Sequence, residues 1–438
     1  MSMSTPTALT PTLSRERERE QEELLSRERE REQEELLSRE QERGQDDALP
    51  PFSLSRMRER AGGEAGLSSR MRRAREAVRA CKPGRALQVR AGVIAAFLVV
   101  AILVPVLNLI VPANSAFHLS DYAVQLIAKI MCYAIAALAM DLIWGYTGIL
   151  SLGHGVFFAL GGYAMGMYLM RQIGRDGNYQ SNLPDFMVFL DWKTLPWHWS
   201  LSDSFIATLA LVVLVPGLLA FVFGFFAFRS RIKGVYFSII TQAMTFATML
   251  LFFRNETGFG GNNGFTDFKR ILGTPIATPS MRMTLFVLTG LTLIGFFLMT
   301  RWLVGSKFGR VLQAIRDAET RVMFTGYDPL RYKLAVWVIS AVMCGIAGAL
   351  YVPQVGIINP GEMSPASSIE IAIWAAVGGR GTLIGPIVGA FFVNGAKSWF
   401  TQAFPEFWLY VLGAMFIAVT IFLPNGIVGL LRRKKEPA

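Results

Sequence analysis

A succession of long apolar runs constrains this chain more than any other feature of its sequence. Most are close to the ~20 residues that an α-helix needs to cross a bilayer, and charged residues are rare inside them. With 52% hydrophobic residues among 438, the chain is too apolar for a soluble protein of this size. The sequence therefore predicts an all-α, polytopic integral membrane helical bundle. The runs cover residues 91–111, 122–144, 156–170, 204–228, 234–253, 283–300, 334–352 and 408–431.

Two further apolar segments, residues 367–377 and 382–400, are separated by Gly378, Gly379, Arg380 and Gly381. They form either two crossings or one re-entrant hairpin. Backbone that leaves helical geometry at membrane depth must be buried in protein or line a wet cavity, because lipid cannot bind its polar groups. We therefore expect about 8–10 transmembrane segments, with one possible re-entrant hairpin.

Basic residues at the ends of the apolar runs predict the orientation of the chain, since Lys and Arg concentrate on the cytoplasmic side. Residues 56–90 are strongly basic, basic side chains follow the run 204–228, and Arg432 to Lys435 follow the last run. Both termini and the polar stretch 309–327 are then cytoplasmic. The net charge of +11 is explained by this anchoring, so we expect contact with the lipid bilayer and no nucleic acid partner.

Residues 1–90 differ in character from the remainder of the chain. The sequence LSREREREQEEL at residues 13–24 is repeated without change at residues 25–36. Alternating Arg and Glu with sparse Leu pairs favours a low-complexity cytoplasmic extension that is disordered or marginally helical, and a partner-binding helix is the alternative. The predicted organisation is an extension over 1–90, a transmembrane domain over 91–431 with a polar loop at 304–333, and a basic cytoplasmic tail over 432–438.

A glycine-rich connection at residues 145–155 interrupts two apolar runs. Glycines permit an unwound chain whose carbonyls and amides face a translocation path, and a tight cytoplasmic turn is the alternative. Asp141 stands one turn earlier, where an ionisable side chain is costly unless it has a function, a cap or a partner. Glu370 is interpreted as an outer-interface residue. The predicted path residues are Asp141, Gly145, Tyr146, Gly148, Ser151, Gly153, His154, Gly155, Gly378 and Gly379.

Sequence motifs for chemistry are missing. No GxxxxGK[ST] or GxGxxG motif opens a soluble helix, and neither GxSxG nor HExxH occurs. His154 has no second His or Cys nearby, and Cys81, Cys132 and Cys344 are far apart. We therefore expect no metal, no cofactor bound by this chain and no enzymatic activity.

The stretch 309–327 is the longest polar run between apolar segments in the C-terminal half. Val311, Leu312, Ile315, Val322 and Met323 recur at roughly helical spacing among charged residues, which predicts a short amphipathic helix that ends near Gly326. The periodicity alone is equally typical of a charged helix that rests on the membrane surface.

Four segments together resemble the membrane permeases of ATP-binding-cassette importers for branched-chain amino acids. They are LSLGH at residues 150–154, GVYF at 234–237, the GR…AIRD-E…G pattern at 309–326, and AVGGRGTLIGP at 376–386. The resemblance covers about residues 122–431. Longer runs at 141–170 and 316–327 and an insert at 183–199 look like the subgroup assigned to urea uptake.

The resemblance implies that the 304–333 loop carries a coupling helix that docks on an ATPase subunit. The residues implied are Gly309, Arg310, Ala314, Arg316, Asp317, Glu319 and Gly326. It also implies a bacterial inner membrane protein with a second permease subunit in a heterodimer, two ATPase subunits that hold the ATP, and an extracytoplasmic solute-binding protein. Urea or a similar small amide is the substrate so implied. The alternatives are a permease for branched-chain or other amino acids, and an ATP-independent channel or secondary transporter.

Overall fold

The computed structural model describes residues 103–433, apart from 110, 113–114, 116–117, 178, 233, 405, 408–409, 411–412, 415–416 and 418–425. The predicted extension over residues 1–90 lies outside the described residues. So do most of the predicted runs at 91–111 and 408–431 and most of the tail at 432–438.

Helices make up about three quarters of the described chain. Their bounds are α1 (Asp121–Thr147), α2 (His154–Arg171), α3 (Asp185–Phe189), α4 (Phe205–Arg229), α5 (Val235–Phe253), α6 (Pro279–Gly305), α7 (Lys307–Phe324), α8 (Pro329–Val355), α9 (Pro365–Gly378), α10 (Ile384–Ala403) and α11 (Gly426–Arg433). Within the described residues, α1, α4, α5, α6 and α8 are long and apolar enough to cross a membrane. The all-α polytopic bundle that the sequence predicts is confirmed.

The core of the bundle is the packing of α2 against α8, with α1 and α4 alongside. Nearly every residue of α2 is buried. The two backbones come close because glycines face each other: a Cβ on Gly161 would lie 1.9 Å from the Gly345 carbonyl oxygen, and one on Gly348 would lie 1.8 Å from that of Phe158. Small residues at such crossings let membrane helices pack backbone to backbone.

The outward-facing sides of α4 and α5 are strongly apolar. In each helix, less than a third of the most apolar 18-residue stretch is buried within the protein. Large aliphatic and aromatic side chains are exposed along α4, among them Ile206, Leu214, Leu218 and Phe226. Apolar surface of this extent on a transmembrane helix is the surface expected to contact lipid.

Helices α9 and α10 form a hairpin that packs on α1. At 14 residues α9 is about 21 Å long, which is shorter than the ~30 Å hydrocarbon core. The turn between the two helices, residues 379–383, lies against the C-terminal end of α1, with Gly379 and Leu383 buried and Arg380 exposed. The structure thus favours the re-entrant alternative for the 367–400 region over two full crossings.

The single amphipathic helix predicted at 309–327 is wrong in one respect. Helix α7 begins at Lys307 and ends at Phe324, but Ala318 has the extended backbone angles φ −157° and ψ 76°, so two helical pieces meet there. Leu312, Ile315 and Val322 are buried, as the apolar spacing predicts. Gly326 follows the helix in the left-handed region at φ 83°, in agreement with the predicted end.

Short strands lie at the end of the bundle where α1 begins. Strand β1 (Phe265–Thr266) pairs antiparallel with β4 (Ile357–Ile358), and β2 (Arg270–Ile271) pairs antiparallel with β3 (Thr274–Pro275). Phe265 and Ile358, which are paired, are both buried. The first pair therefore joins the loop after α5 to the connection between α8 and α9.

Candidate functional site

The connection between α1 and α2, residues 148–153, leaves helical geometry inside the protein, and hydroxyl side chains of α5 bind its backbone. Ser238 Oγ donates to the Leu150 carbonyl oxygen at 2.8 Å. The Leu152 amide donates to Thr241 Oγ1 at 3.1 Å. Lipid offers no such partners, so these bonds make an unwound connection at this depth possible.

Ser151 and His154, two predicted path residues, are both fully buried. Ser151 Oγ accepts a hydrogen bond from the Gly153 amide at 3.1 Å. His154 Nε2 lies 2.7 Å from Ser340 Oγ, and that hydroxyl donates to the Ala139 carbonyl at 2.6 Å. Because Ser340 has one proton and gives it to Ala139, His154 Nε2 is the donor to Ser340. His154 therefore joins α2 to α8 through its protonated Nε2.

The glycines at the two ends of this connection contact other elements. The Gly155 amide donates to Ser368 Oγ on α9 at 3.1 Å. Gly148 has φ 76°, and a Cβ there would lie 3.0 Å from the Arg316 side chain on α7. The connection is thus in contact with both the hairpin and α7.

Asp141 binds the turn of the α9–α10 hairpin. Its carboxylate is completely buried and accepts hydrogen bonds from the Gly381 amide at 2.6 Å and the Leu383 amide at 3.3 Å. Tyr146 Oη donates to the Gly381 carbonyl at 3.0 Å. A Cβ on Gly145 would lie 2.8 Å from Gly381 Cα, so the turn requires glycine there. Asp141 acts here as an acceptor for backbone donors that would otherwise be buried without a partner.

The other two predicted path glycines belong to the same hairpin. A Cβ on Gly378 would lie 1.7 Å from the Gly385 carbonyl oxygen, and the Gly379 amide donates to the Ala375 carbonyl at 3.1 Å. The structure therefore brings one group of the predicted path residues together, namely Asp141, Gly145, Tyr146, Gly378 and Gly379. Gly148 borders this group, whereas Ser151, Gly153, His154 and Gly155 belong to the connection described above.

Side chains of α7 on both sides of its break at Ala318 contact the rest of the bundle. Before the break, Arg316 Nη1 donates to the Gly145 carbonyl at 2.8 Å, and its Nε lies 2.9 Å from Asp317 Oδ1. After the break, Glu319 Oε1 lies 2.5 Å from Lys333 Nζ on α8, and the two side chains are 20% and 9% exposed. A displacement of α7 would therefore act directly on the ends of α1 and α8.

The remaining predicted coupling residues are divided between the core and the surface. Gly309 is buried, and a Cβ there would lie 2.2 Å from the Val304 carbonyl oxygen. Arg310 and Ala314 are exposed. The end of α7 and the turn after it also expose apolar side chains, Met323, Phe324 and Tyr327, of which Phe324 is 92% exposed. Apolar groups of this size next to charged ones are typical of a protein contact surface.

A second polar region, not singled out in the sequence, is a groove of about 230 Å³ between α1 and α10. Lys129 and Lys397 line this groove. A cavity of about 30 Å³ adjoins it and is lined by Glu362 and Glu370, and Tyr133 lines both spaces. The available signal was the presence of ionisable residues at positions 129 and 397 inside apolar segments.

The charged groups around this groove differ in their partners. Lys397 Nζ lies 3.0 Å from both carboxylate oxygens of Glu370. Tyr351 Oη donates to Glu362 Oε1 at 3.1 Å. Burial raises the pKa of the Glu362 carboxyl, and the Tyr351 hydroxyl and the Lys129 charge oppose that rise. The Lys129 ammonium lies 5.9 Å from the Tyr351 ring centroid, and it makes no ion pair within the described part of the chain.

The described residues contain no group of three or more His, Cys, Asp or Glu side chains that could hold a metal ion. Cys132 and Cys344 are buried free thiols. Neither the groove nor the hairpin turn has the ligand set of a metal centre among these residues.

Comparison with known families gives one match, to the permease component of the branched-chain amino acid transport system, over residues 122–420. The high-affinity branched-chain amino acid transport system permease protein LivM of Salmonella typhimurium is 24% identical over 347 residues, 74% of each chain. The permease protein BraD of the corresponding system in Pseudomonas aeruginosa is 21% identical over 310 residues, 68% of this chain and 91% of the relative. The xylose transport system permease protein XylH of Escherichia coli is 26% identical over 156 residues, 34% of this chain and 37% of the relative. No solved structure matches the chain.

Proposed function

The chain belongs to the branched-chain amino acid permease family, and on that premise we propose that it is the permease subunit of an ATP-driven importer that moves branched-chain amino acids across a bacterial inner membrane. Like its relatives, it is a multi-pass transport permease, and it is not an enzyme. The family match over residues 122–420 carries this proposal, because it covers every long helix of the described bundle.

The amino acid substrate replaces the urea assignment as our proposal. LivM and BraD are named for branched-chain amino acids, and the resemblance to a urea subgroup has no counterpart among the relatives reported above. Other small solutes stay open at the level of the fold, since a xylose permease shares about a third of this chain.

We assign ATPase coupling to α7 and its flanks. The exposed apolar tip at Met323, Phe324 and Tyr327 supplies a contact surface, and Arg310 and Ala314 are accessible beside it. The Arg316–Gly145 and Glu319–Lys333 contacts connect that surface to α1 and α8. Nucleotide-driven movement of a docked ATPase would then shift the equilibrium between inward and outward states of the bundle.

The partners in this proposal are a second permease chain, two ATPase subunits that bind ATP, and an extracytoplasmic solute-binding protein. The basic clusters support a cytoplasmic position for α7 and both termini. The glycine-rich stretches at residues 145–155 and 378–379 are proposed to form part of the wall of the translocation path. Their close backbone contacts with α7 and the hairpin support this position, since they would move when α7 moves.

Uptake by the complete transporter tests the proposal. Cells that lack their own leucine uptake and express the chain with its partner subunits should accumulate labelled leucine, isoleucine or valine only when the ATPases are functional. Urea should not accumulate. ATP-driven urea uptake without amino acid uptake would overturn the substrate assignment. Gradient-driven uptake by this chain alone in liposomes would instead support an ATP-independent channel or secondary transporter.

A further inference from the structure

The α1–α10 groove lies on a face of the bundle that is chemically unlike the apolar face of α4 and α5. Tyr122, Thr401 and Gln402 are exposed at one end of it, and Lys129 is half-buried further along α1. A charged side chain inside a transmembrane helix faces a protein partner or a water-filled space, because lipid cannot solvate it. The groove is therefore on a side of the bundle that is suited to polar contacts and not to lipid.

The Lys129 ammonium is the least compensated charge at this groove. Within the described residues it makes no hydrogen bond or ion pair. It lies 5.7 Å and 5.9 Å from the ring centroids of Tyr133 and Tyr351, and its charge interacts electrostatically with the Glu362 carboxyl. Two turns of α1 separate it from the start of the helix, so it is well inside the predicted transmembrane segment. A cation held there favours an anionic group in the groove.

A carboxylate, Glu370, lies in the cavity that adjoins the groove. It accepts from Lys397, which lines the groove, at 3.0 Å, and the Glu370 and Lys397 side chains are 25% and 36% exposed. Leu126 and Ile130 provide apolar surface in the same wall. The groove of about 230 Å³ thus presents a cation and an apolar patch, and the cavity that adjoins it adds a carboxylate.

We propose that this groove is a binding site for the zwitterionic backbone of an aliphatic amino acid, with Lys129 binding the α-carboxylate, Glu370 binding the α-ammonium group, and Leu126 and Ile130 contacting the side chain. The inference rests on the proposed amino acid transport and assigns it residues. A neutral solute such as urea would need neither charge, whereas an amino acid needs both within a short distance of each other. The volume is below the ~300 Å³ at which pockets for drug-sized ligands begin, and suits a smaller solute.

Lys129→Met in the complete transporter is the variant that tests the site. It removes the ammonium and keeps an unbranched side chain, and no hydrogen bond or ion pair of the described structure is lost with it. Leucine import by vesicles that contain the transporter, supplied with its leucine-loaded binding protein, should fall about 10- to 100-fold, the loss typical of one charged hydrogen bond. ATP hydrolysis by the same vesicles should be retained, since α7 is untouched.

Two matched variants separate the loss of the site from a general loss of charge or of fold. Lys129→Arg keeps the cation and should retain most of the import. Lys193→Met removes an exposed lysine outside the transmembrane helices and should leave import unchanged. Wild-type import rates in Lys129→Met would overturn the site, and so would equal losses in Lys129→Met and Lys193→Met.

The outcomes also distinguish this inference from the proposed function. A wild-type transporter that imports urea and not leucine would end both. Leucine import by the wild type that is unaffected in Lys129→Met would end the groove site alone and leave the amino acid permease in place.

Discussion

Helix α1 carries an acid towards one end and a base towards the other, and the fold uses the two charges differently. Asp141 is completely buried and accepts from two backbone amides of the hairpin turn. Lys129 is half-buried beside a groove, where it lies near two aromatic rings and the Glu362 carboxyl but makes no hydrogen bond or ion pair in the described chain. The comparison teaches that a buried ionisable residue in a membrane helix is structural when the protein supplies its hydrogen-bond partners, whereas Lys129, which has none in the described chain, is our proposed ligand contact.

Asp141→Leu should produce the largest effect, because it removes the acceptor of two buried amides. Each unsatisfied donor costs about 1–3 kcal/mol, so the loss should be about 2–6 kcal/mol. Thermal unfolding of the purified protein in detergent, compared with Lys129→Met, measures it directly. Asp141→Asn keeps one acceptor oxygen and should lose less. If Asp141→Leu and Lys129→Met lower the stability of the protein equally, Asp141 and Lys129 do not differ in the way described.

Glu319→Lys should produce the second largest effect. It removes a contact between α7 and α8 at the same end of the bundle as Asp141. Removing one partner of a buried ion pair lowers the free energy of unfolding by ~3–5 kcal/mol. Because the Glu319 side chain is 20% exposed, we expect a loss of about 3 kcal/mol or less. We expect membrane insertion to be retained and ATP-dependent import to be abolished, measured on the same membranes.

The double variant Glu319→Lys with Lys333→Glu restores an ion pair and should recover part of that import. Glu256→Lys is the matched control, because its pair with Arg254 is 79% and 67% exposed and contributes little. Undiminished import in Glu319→Lys would contradict the coupling role of α7.

Glu370→Gln tests the proposed binding site at the Lys129 end of α1. The Glu370–Lys397 pair is partly exposed, so its loss should change stability by about 1 kcal/mol or less. Leucine import should nevertheless fall, because the neutral amide no longer balances an α-ammonium group. A melting temperature close to that of the wild type together with reduced import is the expected combination. A large loss of stability would show that the pair is structural, as Asp141 is.

Tyr122→Phe should have the smallest effect. The Tyr122 and Ser398 hydroxyls are 3.4 Å apart at exposed positions beside the groove, and surface changes of this kind stay within about 0.5 kcal/mol. Unchanged unfolding and import would show that the groove tolerates the loss of an uncharged polar contact. A strong defect in import would extend the site to this hydroxyl.

The helices could be predicted from the sequence because their signal is local. The apolar run 122–144 became α1, and the run 334–352 became α8, which are each 27 residues long and extend beyond the predicted runs at both ends. The break at Ala318 could not be predicted, since the residue favours helix and its conformation is imposed by contacts of α7 on both sides. The matching family confirms the permease assignment, whereas the urea substrate rested on likeness to a subgroup that the comparisons do not support.

The site was harder to predict because its partners are distant in sequence. Asp141 was recognised as costly, but Gly381, which binds it, is 240 residues further along the chain. His154 was considered as a contact for a solute, and its bond to Ser340 spans 186 residues. Lys129 and Lys397 were not singled out, since only the fold brings them to one groove, next to the cavity that holds Glu370. The roles of the predicted path and coupling residues remain proposals until the variants above are measured.

The bond between Asp141 and the hairpin turn also bears on how the chain is made. A ribosome that has delivered α1 through α8 to the membrane has not yet synthesised Gly381 or Leu383. The nascent bundle therefore holds a carboxylate whose two donors do not exist, at a depth where water is scarce. Arrival of the C-terminal hairpin supplies both donors, so the Asp141 end of α1 reaches its final packing only after the last part of the described bundle has been made.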